Sequence, residues 1–109
     1  MSSLTMTDLA APMRALRLLA ADFPDLPAVN VAISRIYPGQ LELACHDGFD
    51  VFETWRQALG IPLESVTYTE LEEVPTRVLE ASVDYAGIQL CLIGYSRSHH
   101  PVERQKAVA

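Results

Sequence analysis

Residues 76–95 read TRVLEASVDYAGIQLCLIGY, and the pattern of this stretch decides the fold. Ala86 and Gly87 form a two-residue turn between two arms rich in β-branched and apolar side chains, which predicts a β-hairpin. With Tyr85 facing Ile88, Val83 faces Leu90, Ala81 faces Leu92 and Leu79 faces Gly94. One face of the hairpin is then apolar in a single register. The opposite face carries Val78, Glu80, Ser82 and Asp84 on the first arm and Gln89, Cys91, Ile93 and Tyr95 on the second. It is polar near the turn and apolar at its far end. A sheet with one wet face alternates cleanly along each strand, and this one does not. Val78, Cys91, Ile93 and Tyr95 are therefore the candidate interface, covered by another chain or by the chain's own tail.

Upstream of the hairpin, Leu9, Met13, Leu16, Ala20 and Phe23 fall at helical spacing and predict a first helix from Asp8 or Ala11 to Asp22. Pro12 fits only its first turn. Pro24 and Pro27 then impose an extended linker. Val29, Val31 and Ile33 alternate with polar or small residues, as do Leu41, Leu43 and Cys45, so a first hairpin is expected around Tyr37-Pro38-Gly39-Gln40. Pro at the second and Gly at the third position of that turn specify type II.

Asp47 is the expected N-cap of a second helix, with Asp50 and Glu53 suited to its N-terminal dipole. Phe49, Phe52, Trp55 and Leu59 form its apolar stripe, Gly60 its left-handed cap, and Pro62 its stop. Val66, Tyr68 and Leu71 predict a third strand, followed by a turn crowded with Glu70, Glu72 and Glu73.

The expected order is α-β-β-α-β-β-β: an α+β domain with one antiparallel five-stranded sheet and two helices packed on one face. Residues 1–6 are expected to be a disordered leader, 7–96 the single domain, and 97–109 a flexible basic tail. Phe52, Trp55, Val83 and Leu90 are expected in the core.

At 109 residues the chain fits one domain and can bury a core without disulfide or metal staples. No apolar run approaches the roughly 20 residues of a membrane helix, and the first residues lack the charged and apolar regions of a signal peptide. A cytoplasmic location is the expectation. The net charge is −6, yet residues 97–109 hold Arg97, Arg104 and Lys106 against Glu103 alone. The remainder is more acidic still, which disfavours direct contact with nucleic-acid phosphates. Cys45 and Cys91 belong to no Cys-x-x-Cys pair and are expected to be reduced and buried.

The candidates for chemistry are few. His46 beside Asp47 has the composition of a general base with an orienting carboxylate, but no nucleophile is placed near it, and Asp47 already serves as a cap. His99-His100 lacks the spacing of a metal site, and the Glu70, Glu72, Glu73 cluster lacks that of a calcium loop. No phosphate-binding glycine loop or hydrolase motif is present. Catalytic, cofactor and metal residues are accordingly assigned as none. His46, Asp84 and Tyr85 are retained as mouth residues of a pocket between sheet and helices, the alternative in which the protein binds a small ligand or acts as an enzyme.

Residues 31–38 (VAISRIYP), 46–56 (HDGFDVFETWR) and 58–61 (ALGI) carry a resemblance. Over residues 26–95 the chain is similar to small uncharacterised proteins of high-GC Gram-positive bacteria and their mobile elements. That resemblance implies no activity and transfers no functional residues. The expectation from the residues themselves is an acidic protein-interaction or regulatory accessory module, acting as a homodimer or on another protein. A further alternative is an acidic mimic of nucleic acid that occupies a nucleic-acid-binding partner.

Overall fold

The structure, a computed structural model, describes residues 3–46, 48–72 and 75–97. A 3-10 turn at Met6–Leu9 leads into α1 (Ala10–Asp22). The Thr5 amide donates to the Asp8 carboxylate at 2.7 Å and organises that turn. Pro12 lies in the first turn of α1, where its missing N–H costs nothing.

The linker leads to β1 (Asn30–Ala32), antiparallel to β2 (Gln40–Cys45), with Val31 opposite Leu43. The connecting turn closes through the Gln40 amide, which donates to the Tyr37 carbonyl at 3.1 Å. It is not the expected type II turn, because Gly39 is absent from the residues with positive φ. Proline at the second position serves type I as well as type II. The Gly39 carbonyl here accepts from the Gln89 amide at 3.0 Å, which ties the turn to the neighbouring strand.

Next comes α2 (Phe49–Leu59). The expected cap, Asp47, lies outside the described residues, and the N-cap position falls on Gly48 at φ 99°. Gly60 closes the helix in the left-handed conformation at φ 72°, as its sequence position predicts. Then follow β3 (Thr67–Leu71), β4 (Thr76–Tyr85) and β5 (Ile88–Arg97). β4 and β5 pair in the expected register throughout, from Tyr85 opposite Ile88 to Leu79 opposite Gly94. Ala86 and Gly87 take φ of 51° and 84°, the positive values that a tight hairpin turn of type I′ requires. β5 extends to Arg97, which pairs with Thr76, so the strand consumes the first residue of the expected tail.

The five strands form one sheet in the order β1-β2-β5-β4-β3. It is mixed, not antiparallel: β2 runs parallel to β5, with Leu41 beside Leu90 and Leu43 beside Leu92. The cause is chain direction. α2 carries the chain from the end of β2 back to the sheet's far edge, so β3 starts in the same sense as β2. Two hairpin reversals later β5 again runs in that sense, and it lies beside β2.

Both helices pack on the same face, as expected. Ala15 and Leu19 of α1 and Phe52 and Trp55 of α2 share one buried cluster with Leu41, Leu43, Cys45, Ala81, Leu90 and Leu92. Val83 borders this cluster and is half-buried. We call this the inner face. It draws on alternate residues of each strand, and the other residues form the outer face.

Candidate functional site

The outer face is where the sequence pattern and the architecture meet. Neither α1 nor α2 packs on it. In β4 and β5 it presents Val78 opposite Tyr95, Glu80 opposite Ile93, Ser82 opposite Cys91 and Asp84 opposite Gln89. In β2, Ala44 lies beside Ile93 and Glu42 beside Cys91. The candidate residues Val78, Cys91, Ile93 and Tyr95 are thus brought together on adjoining strands, joined by Ala44, which is 8% exposed. All four are half-buried. His46 covers part of the patch, its ring stacked on Tyr95 with centroids 4.8 Å apart and planes 7° from parallel.

Towards the hairpin tip the same face becomes polar. Gln40 donates to Gln89 across β2 and β5 at 3.3 Å. These residues with Thr67, Glu80, Ser82 and Cys91 line a hollow of about 340 Å³. Burial, followed by the nearby carboxylates of Glu42 and Glu80, raises the Cys91 pKa. The thiol therefore stays protonated and is a poor nucleophile at neutral pH.

The proposed pocket-mouth residues do not converge. His46 follows the C-terminal end of β2, near Tyr95. Asp84 and Tyr85 sit beside the hairpin tip, at the other end of the sheet. Asp84 is exposed on the outer face, whereas Tyr85 turns inward and donates its hydroxyl to Asp22 Oδ2 at 2.6 Å. Desolvation and this bond push the Tyr85 phenol up to about 12. Cys45 and His46 are neighbours in sequence, but Cys45 is 2% exposed while His46 is exposed. Burial pushes the Cys45 thiol up to about 11, so the two form no nucleophile–base pair. Cys45 and Cys91 are both free and lie on opposite faces of the sheet.

The remaining candidates give no site. Glu70 lies within β3 and accepts from the Tyr68 hydroxyl at 3.1 Å. Glu73, His99 and His100 lie outside the described residues. Among the described residues, no group of His, Cys, Asp or Glu side chains is arranged to hold a metal ion. None of the described helices is long and apolar enough to cross a membrane.

A cleft that sequence reasoning missed lies between α1, the proline linker and α2. Leu16, Leu19, Phe23, Leu26, Val29 and Trp55 line it, and its volume is about 270 Å³. The Trp55 indole N–H donates to the Pro27 carbonyl at 2.9 Å, and the Phe23 ring meets Trp55 edge-on with centroids 6.2 Å apart. The linker's two prolines were the available signal, since they hold the chain away from α1. Apart from the Trp55 indole N–H, which is already bonded to Pro27, every lining side chain is apolar, so the cleft has no free side-chain group with which to orient a polar ligand.

No family model, curated protein or solved structure matches the chain. The resemblance quoted above therefore rests on its own residues.

Proposed function

We propose that the protein is an acidic interaction module that acts as a homodimer, with the outer face of its sheet as the contact surface. One observation carries this reading: both helices cover the inner face, while the outer face holds a contiguous apolar patch on three central strands. Ala44, Ile93, Tyr95 and Val78 run across β2, β5 and β4, and among the described residues no helix lies above them. A second copy related by a twofold axis supplies the same patch in return, the commonest closed solution for a self-complementary surface. Asp84 keeps the contact away from the hairpin tip, and Glu80 opposite Ile93 and Glu42 beside Cys91 must stay at its solvated margin, because a carboxylate buried without a partner is costly. The acidic rim also disfavours a nucleic-acid partner.

Ile93→Glu tests this reading, with mass read by light scattering and fold by circular dichroism. A folded variant of lower mass supports it. Unchanged association overturns it.

The apolar cleft beside Trp55 favours a second reading, the binding of a small apolar molecule. A ligand that binds the native state alone raises the thermal midpoint. No shift across a panel of small aromatic and aliphatic compounds would exclude this reading.

A further inference from the structure

We propose that β3 is a second self-association element: it pairs antiparallel with β3 of another copy about a twofold axis at Thr69, joining two sheets edge to edge. This inference does not depend on the outer-face contact and leaves that face free, so the two contacts together join homodimers into a larger assembly.

β3 ends the sheet and has a ladder on one side only, to β4. Among the described residues, its other side has no strand partner for its backbone N–H and C=O groups. Such an edge templates pairing with another chain unless the sequence blocks it. The opposite edge offers a shorter template, because β1 has only three residues. β3 has five residues, no proline and no lysine, and it pairs with β4 without a bulge from Thr67 opposite Glu80 to Leu71 opposite Thr76. Three of its residues are Thr or Tyr, good strand formers. All five are exposed, including Tyr68 at 52% and Leu71 at 45%.

The residues also select a register. Centred on Thr69, the two strands pair along their whole length. Thr69 faces its own counterpart, Thr67 faces Leu71 of the second copy, and Tyr68 faces Glu70 of the second copy. Tyr68 already donates to Glu70 within the chain at 3.1 Å, so each carboxylate then lies between two phenols. Centring on Glu70 sets two carboxylates directly opposite each other, a destabilising pair. Parallel in-register pairing sets them side by side as well. Centring on Tyr68 leaves Glu70 and Leu71 without partners in β3. The Thr69 register alone satisfies the strand, and it keeps the helices of both copies on one side of a continuous sheet.

Cysteine crosslinking tests the register. Opposed residues in an antiparallel pair have Cα atoms about 4.5–5.5 Å apart, within disulfide reach. Thr69→Cys is therefore expected to give a disulfide-linked dimer on mild oxidation, with peptide mapping placing the link at position 69. In this register the two copies of position 67 are offset by four residues, about 14 Å along the strands, so Thr67→Cys stays unlinked. Equal crosslinking at both positions, linkage through the native Cys91, or no crosslinking at position 69 overturns the proposal. Adding Ile93→Glu to Thr69→Cys separates the two contacts. The position-69 link survives that addition if the edge pairs by itself, and its loss overturns the proposal.

Discussion

Gly94 of β5 lies directly beneath Phe52 of α2: a Cβ on Gly94 would stand 2.9 Å from the Phe52 Cβ and 3.0 Å from two further carbons of its side chain. Phe52 is wholly buried, so any shift of its ring displaces core neighbours. The absent side chain at Gly94 lets α2 settle onto the centre of the sheet. Gly94→Ala is expected to destabilise the fold by about 1–3 kcal/mol through overpacking. For a domain of this size that lowers the thermal midpoint by roughly 4 °C or more. Thermal unfolding measures it, and an unchanged midpoint would show that the helix–sheet contact is looser than described.

Ala86 is the sole residue other than glycine with positive φ among the described residues, at 51°. A Cβ disfavours that conformation, while Asn tolerates it and Asn-Gly is the preferred pair for this turn. Ala86→Asn is therefore expected to stabilise the protein by about 0.5–1 kcal/mol without altering its association. Urea denaturation reads the effect as a higher midpoint at constant slope. A lower midpoint would contradict the turn geometry.

Burial of the Tyr85 phenol, with its bond to Asp22, makes stability fall at alkaline pH. The phenol pKa is raised from 10.0 to about 12 in the fold, so folding favours the protonated form. This contribution is complete below pH 10 and is lost as pH rises from 10 through 12. Tyr85→Phe removes the bond to Asp22 and the titration with it. The stability difference between wild type and Tyr85→Phe should shrink steadily between pH 10 and pH 12 in urea titrations. A constant difference would contradict the assignment. Cys45, raised from 9.0 to about 11 by burial, adds a loss of the same sign from pH 9 to pH 11 in both proteins.

Local pattern was legible where one residue type has one physical role. The β4–β5 register followed from alternation about Ala86-Gly87, and the end of α2 followed from Gly60 and Pro62. Sheet direction was not, because each hairpin reads as antiparallel by itself and the β2–β5 neighbour relation is non-local. The connection through α2 was nevertheless visible, and with two later reversals it makes β5 parallel to β2 wherever they meet. Gly39 misled because proline and glycine permit a type II turn without requiring it. The apolar cleft was hidden because Phe23, Leu26 and Trp55 are far apart in sequence and read separately as helix end, linker and core. The clustering of Val78, Cys91, Ile93 and Tyr95 followed directly from the register. Ala44 and His46 joined that patch only through the parallel neighbour.

The outer-face contact is tested most directly at Cys91, because total mass does not locate an interface. This half-buried thiol belongs to the patch, while Cys45 on the inner face is protected by the core. Alkylation of Cys91 should be measured at fixed pH over a range of protein concentrations, with mass followed in parallel by light scattering. Alkylation is expected to slow as the protein associates, and Ile93→Glu to abolish this dependence. A Cys91 rate that stays constant while the wild-type mass rises would place the contact elsewhere and contradict an interface on the outer face.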